Sequence, residues 1–464
     1  MYHSQVKPSK LSILAACLLL IVSCGKKQEG TRVRLGGWSP EVKTAINDFL
    51  DLYGQGGKYH DGSEYVVFDF DNTTAIFDIQ YQMMPYQLGL MAFKTEPDNL
   101  VDALSNGLVH NDIYAAQMEQ VSRDYRSLYS KYGPFSAEGI APADTAALHK
   151  DEVWLDFATR MYALFRSVSD HEDATTGTLW PLRWFDGFTD DELYDLSYRS
   201  HIYGKDRPTS EVTWRNAEGI EYKWTSGASV TDELKELWKA LRDNGIDIWV
   251  CSGSQLQQVR AAVDAYDLHE FCTGMLAMST TPDEDAGYIA LPGGEWKRDD
   301  TPMRGHSWEA GKVDVINNVL VPRYGHGPIA GFMDSAGDFH FCTEYKSLKL
   351  VICFNRAERA ANDGGGLIAE TAIYSREVLG YDLRKANAAG DTYYVLQGRD
   401  ENGTRSLVPC DSTIRLGATS KQLFKNQANL DSLESFKARK MSVGEIVNTG
   451  AAFVPGFTSY HSID

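Results

Sequence analysis

Tyr65-Val66-Val67-Phe68-Asp69-Phe70-Asp71-Asn72-Thr73-Thr74 joins a run of four apolar residues to two carboxylates set two positions apart. An apolar run without alternation predicts a strand buried on both faces, as in parallel sheets covered by helices. Carboxylates held so close at a strand end are costly unless a cation or a shared proton compensates them, so this point marks metal or acid/base chemistry. Three further apolar runs, at residues 246–251, 328–333 and 348–354, have the same character and alternate with helical patterns. Ser39-Pro40 starts the first of these, with Val42, Ile46, Phe49, Leu50 and Tyr53 on one face. Ser229 and Asp232 read as a capping box before Leu234, Leu237, Trp238 and Leu241. Leu256, Val259, Val263 and Tyr266 form the next face, and Gly311-Lys312 opens another bearing Val315, Ile316, Val319 and Leu320. This rhythm predicts an α/β fold with a doubly wound, mainly parallel sheet whose ligands bind off the carboxyl ends of the strands.

The chain is longer than one hydrophobic core usually organises, so insertions or a second domain are expected. Residues 38–76 and 226–360 read as two parts of one core domain. Residues 77–225, aromatic and helical in pattern, read as an insertion between them. Within the second part, residues 273–305 read as loop-rich. Residues 361–464 read as a C-terminal extension packed on the core, with a helix near 367–378 and a hairpin turning at Asn402-Gly403.

Lys7 and Lys10 precede an apolar run at residues 11–22, too short to cross a bilayer. With Ser23-Cys24-Gly25 behind it, the run resembles a bacterial lipoprotein signal. That resemblance implies removal of residues 1–23, lipidation of Cys24 and a tether over 24–37. It places the chain in a bacterial cell envelope, bound to the membrane through its N-terminal lipid and facing periplasm or exterior. Cys251, Cys272, Cys342, Cys353 and Cys410 show no CxxC or metal-type spacing and read as unpaired thiols. Sixty-four acidic against 45 basic residues give a formal net charge of −19, which argues against nucleic acid as a partner.

The set VVFDFDNTT, VCSGS, a lysine at a helix start and FMDSAGD resembles, in order and at each element boundary, the four motifs of the haloacid dehalogenase superfamily. The resemblance implies a Rossmann-like core with a large helical cap inserted after the first strand. Asp69 would be the nucleophile that forms an aspartyl-phosphate, and Asp71 the general acid/base. Ser252, with Gly253 beside it, would bind a phosphoryl oxygen, and Lys312 would neutralise charge on Asp69 and the phosphoryl group. Mg²⁺ would sit on Asp69, Asp71 and Asp334, with Asp338 ordering the metal's waters or Lys312. The family usually has Gly before its first motif-four aspartate; here that residue is Met333.

An acid at Asp71 points to the phosphatases within the superfamily. GGWSPEV, VVFDFDNTTAIFD and YQMMPY are similar to stretches of the phosphoserine-phosphatase-like branch, and inside it of the phosphorylcholine phosphatases. The expected activity is Mg²⁺-dependent hydrolysis of a small organic phosphate ester. Tyr81, Tyr86, Trp180 and Trp184, with Asp78 as the nearest acid, are candidates for a cage around a cationic head. Phosphoryl transfer to another alcohol through the same intermediate, and a surface lipoprotein that binds a phosphorylated or cationic ligand without turnover, are the alternative expectations.

Overall fold

Strand β1 (Tyr65–Phe68) has no exposed side chain, because sheet neighbours flank it and helices cover both its faces. The structure, a computed structural model, describes residues 31–205, 207–279 and 287–464. β1 pairs in parallel with β4 (Asp247–Gln255) on one side and β8 (Ala330–Met333) on the other. Beyond β4 come β5 (Gly274–Met278), β6 (Tyr288–Leu291) and β7 (Glu295–Arg298); beyond β8 come β9 (Leu350–Phe354) and β10 (Tyr393–Gln397). The order of this eight-stranded sheet is β10-β9-β8-β1-β4-β5-β6-β7, parallel from β10 to β5 and antiparallel in the β6–β7 hairpin.

Alternation along each strand divides the core in two. Val66, Phe68, Ile248, Val250 and Phe332 face the helices Pro40–Tyr53, Asp232–Asp243 and Leu256–Ala265. Tyr65, Val67, Trp249, Cys251 and Val351 face the helices beginning at Ala310, Gly364 and Gln427. The expected α/β fold with a large, mostly parallel sheet is what the chain forms.

Between β1 and β4 lies an insertion with a third core of its own, built from residues such as Leu88, Tyr125, Phe157, Leu164 and Trp180. Its helices include Ile79–Leu90, Asn111–Tyr132, Glu152–His171 and Asp190–Lys205. It also holds an antiparallel hairpin, β2 (Ser210–Arg215) with β3 (Glu221–Ser226), whose Trp214, Tyr222 and Trp224 close the aromatic core. The insertion docks through Asp190–Lys205 on Leu256–Ala265: Tyr194 donates to Asp264 at 2.7 Å and the Lys205 ammonium to the Ala265 carbonyl at 3.1 Å.

Several boundaries differ from the sequence reading. Residues 31–37 pack on the core rather than forming a tether: Val33 is buried, and the Arg34 amide donates to Glu236 at 2.8 Å. Residues 273–305 contribute three strands, since the apolar run GMLAM adds to the sheet beside β4. Thr231, not Ser229, caps the helix Asp232–Asp243 by accepting from the Leu234 amide. The hairpin expected at Asn402-Gly403 forms between Arg399–Asp400 and Ser406–Leu407, in a four-stranded sheet of the C-terminal extension. All five described cysteines are unpaired. Among the described residues no helix is long and apolar enough to cross a membrane. The signal segment and Cys24 lie outside the described residues.

Candidate active site

The carboxyl ends of β1, β4 and β8 open on one cavity of about 450 Å³. Asp69 follows β1 directly, and the chain then turns sharply because Asn72 adopts left-handed backbone angles (φ 58°), a conformation asparagine tolerates. Asp334 and Asp338 follow β8, and Lys312 comes from the helix Ala310–Val315. Parallel neighbours in register bring these distant segments to one edge.

The buried Lys312 ammonium, 2% exposed, lies 2.6 Å from Asp69 Oδ1 and 2.6 Å from Asp338 Oδ1. Carboxylate oxygens of Asp69, Asp334 and Asp338 lie within 4.8 Å of one another. Arg356 donates to Asp334 at 3.2 Å, and Thr73 donates to its other oxygen at 3.3 Å. Burial, then the Asp338 charge, pushes the Asp69 carboxyl well above its ordinary range, while Lys312 opposes the shift. Asp338 is likewise raised, by burial. Burial alone would depress Lys312, but the carboxylates of Asp338 and Asp69 outweigh it and its net shift is upward.

Asp71 is fixed by two donors: the Ser254 hydroxyl at 2.6 Å and the Ile79 amide at 2.6 Å. Burial, and secondly the neighbouring Asp78, still raises its carboxyl well above the usual range against both hydrogen bonds. A carboxyl so held keeps its proton at higher pH than a free one, and it lines the same cavity as Asp69. Asp78 caps the helix Ile79–Leu90 by accepting from the Tyr81 amide at 3.0 Å, and burial lifts it to about 6.

Of the residues expected at the site, Asp69, Asp71, Gly253, Lys312, Asp334, Asp338 and Tyr81 line the cavity. Ser252 does not. Its side chain is fully buried and its hydroxyl accepts from the Ser254 amide at 3.1 Å, because the β4–β5 pairing shifts register between Ser252 and Gln255. Ser254, itself 4% exposed, lines the cavity instead, and the Gly253 backbone runs so close to the Trp308 ring that a Cβ would sit 2.7 Å from it. Trp180 and Trp184 are also absent from the cavity: each is 1% exposed in the insertion's core, with the Trp180 indole donating to the Leu104 carbonyl at 2.8 Å. Tyr86 packs against Tyr203 away from the site. Met333 sits in the core beneath the sheet end and puts no bulk into the cavity.

A second cavity of about 300 Å³ adjoins the first and shares Asn72, Asp78, Tyr81, Phe165, Arg166 and Arg356 with it. Tyr162 and Tyr222 line it, stacked at 4.1 Å between ring centres, and Trp224 closes it. The Tyr222 hydroxyl is buried there without a hydrogen-bond partner.

The donor set suits a hard divalent cation: all-oxygen ligands, with more buried carboxylates than Lys312 and Arg356 neutralise. Sequence reasoning missed Ser254, Trp308 and Arg356, and missed Arg399, which reaches the loop after Asp71 from far along the chain. Only the polar character of SGS hinted at one of them.

No family model matches the chain, and no curated protein matches it. Among solved structures, a conserved functionally unknown protein from Anaerococcus prevotii DSM 20548 is similar, with a TM-score of 0.60 and 22% identity over 82% of this chain and 98% of that one. At that identity the likeness concerns the fold alone.

Proposed function

We propose that the chain is a phosphomonoesterase of the haloacid dehalogenase type, in which the sheet is the catalytic core and the insertion a cap, hydrolysing small organic phosphate esters. One observation carries the reading: Lys312 bridges Asp69 and Asp338 at the floor of a cavity where Asp71, separately held by Ser254 and Ile79, keeps a raised proton affinity.

In this reading the Asp69 oxygen not engaged by Lys312 attacks phosphorus. The bond from phosphorus to the leaving oxygen breaks, and that oxygen takes the Asp71 proton. Asp71, now a carboxylate, then removes a proton from water as the water oxygen attacks phosphorus, and the bond to Asp69 breaks to release phosphate. Lys312 and the Gly253 backbone offer positive charge and a donor where the phosphoryl oxygens gather charge. Mg²⁺ would be held by the Asp69 and Asp334 carboxylates and the Asp71 carbonyl, with Asp338 beside it. Bound there, it supplies positive charge that keeps Asp69 ionised.

The adjoining aromatic chamber takes the rest of the ester. Its Tyr81, Tyr162, Tyr222 and Trp224 rings with the Asp78 carboxylate suit an organic cation, and the cations that line it already meet their own acids: Arg166 meets Asp170, Lys223 meets Glu221, and Arg356 meets Asp334 and Glu358. The cage thus moves from Trp180 and Trp184 to the hairpin and the long helix Glu152–His171. Phosphate release from phosphocholine, phosphoethanolamine, phosphoserine and p-nitrophenyl phosphate, with and without Mg²⁺, tests both parts. Metal-dependent turnover led by phosphocholine and lost in Asp69→Asn is expected; no turnover of any ester would reject the proposal.

A further inference from the structure

Arg399 is 1% exposed, yet no acid of the catalytic cluster pairs with it. Its guanidinium donates to the Asn72 backbone carbonyl at 2.6 Å and to the Asn72 side-chain oxygen at 3.2 Å. From the other side, Glu401 accepts from its Nε at 2.9 Å and its Nη2 at 2.6 Å, and so fixes the plane of the fork. Glu401 is itself buried and accepts from the Leu416 amide at 3.3 Å. Arg399 lies in the strand Arg399–Asp400 of the small C-terminal sheet, and Glu401 follows it directly. The chain reaches that sheet from β10 through Gly398, where a Cβ would lie 2.2 Å from the Ser412 carbonyl oxygen.

Asn72 is the residue at which the chain reverses after Asp71. Its left-handed angles turn its carbonyl out of the loop, and outside the loop its partner is Arg399. A buried carbonyl without a donor is costly, so the guanidinium, together with the loop's own hydrogen bonds, holds the turn. The same small sheet touches the site a second time. Arg415 donates to Glu358 at 2.5 Å, Glu358 pairs with Arg356 at 2.9 Å, and Arg356 holds Asp334 at 3.2 Å.

We infer that Arg399, oriented by Glu401, is a positioning residue that fixes the Asn72 turn and thereby the placement of Asp71 relative to Asp69. The C-terminal extension is then part of the catalytic apparatus, clamping both aspartate loops from behind. The effect on turnover rests on the phosphatase reading; the clamp itself does not.

The test uses the whole chain and three variants: Arg399→Lys, the pair Arg399→Leu with Glu401→Leu, which leaves no buried carboxylate unpaired, and Asn72→Ala. Amide hydrogen exchange of the peptide spanning residues 69–75 is read beside that of the helix Pro40–Tyr53. Expected is faster exchange of the 69–75 peptide in Arg399→Lys and in the double variant, with the helix unchanged and the melting temperature held within a few degrees. Turnover should show kcat lowered about 10- to 100-fold with KM changed less than about threefold. Asn72→Ala keeps the backbone carbonyl but loses the 3.2 Å side-chain contact and asparagine's tolerance of left-handed angles, so its loss should add only in part to that of Arg399→Lys, which disturbs the same side-chain contact. Exchange of 69–75 unchanged in the double variant, or slowed turnover that only tracks a global loss of stability, overturns the inference. If the native chain hydrolyses no ester while exchange still speeds up, the clamp stands and the phosphatase reading falls.

Discussion

Lys312→Met tests how the acidic cluster is held together. The ammonium is 2% exposed and makes two contacts of 2.6 Å, to Asp69 and Asp338. Methionine fills nearly the same volume, so little packing is lost and the effect is electrostatic. Breaking a buried ion pair from one side costs about 3–5 kcal/mol, because the remaining charge has no partner. Here two carboxylates lose their partner at once, with Asp334 close by, although each can take up a proton and so limit the penalty. At about 1 °C per kcal/mol for a chain of 464 residues, the melting temperature in EDTA should fall by about 3–5 °C. Adding Asp338→Asn should recover a good part of that fall, since it removes one of the carboxylates left unpartnered. Mg²⁺ should raise the melting temperature more in Lys312→Met than in the native chain, because a cation then has no competitor for the oxygens. Differential scanning calorimetry at pH 7 reads all of these. A variant within about 2 °C of the native chain in EDTA, or an Asp338→Asn loss that simply adds to the first, would refute the reasoning.

Ser254→Ala removes a hydrogen bond that favours the Asp71 carboxylate, so the Asp71 carboxyl should rise further and the alkaline limb of the kcat profile should move up by about one pH unit; an unmoved limb would argue that Asp71 is not the acid. His201 is buried between the insertion and the core, and burial lowers its pKa to about 4. The unfolded chain therefore binds its proton first, and stability should fall as pH drops from 6.5 towards 4, by about 3 kcal/mol. His201→Phe should flatten that part of a denaturation series. Glu370 shows the opposite sign: burial raises it to about 8, so it stabilises least when ionised, and stability should decline between pH 4.5 and 8, by about 3 kcal/mol at pH 7. Glu370→Gln should remove that decline in urea titrations. Tyr222→Phe should raise KM for an ester with an organic cation without changing KM for p-nitrophenyl phosphate if the aromatic chamber receives the leaving group; an equal effect on both would place the leaving group elsewhere.

What could be read from the sequence was what the backbone advertises locally. YVVF followed by acids declares a buried strand and a charged end together, FMDSAGD repeats the arrangement and VCSGS ends in polar residues, so the sheet and most of the edge that lines the cavity were visible. Side-chain direction at a strand end was not: a register shift after Ser252 turns that hydroxyl inward and brings Ser254 to the cavity. Trp180 and Trp184 looked available because aromatic spacing in a helical stretch is the same for a cage and for a core, and here the core took them. The hairpin of Ser210–Arg215 and Glu221–Ser226 was hidden by its many charged residues. Arg399 left no trace at all, since its partner Asn72 is 327 positions away and nothing local distinguishes it from a surface arginine.

In the proposed reaction Asp69 carries the phosphoryl group between two half-reactions. The most direct measurement is acid quenching of the chain during turnover of p-nitrophenyl phosphate with Mg²⁺, followed by mass mapping of the phosphorylated peptide. The account predicts a phosphoryl group on Asp69, absent when Asp69→Asn is treated in the same way and absent without ester. Full phosphate release by Asp69→Asn, or turnover with the label on another residue, would contradict it.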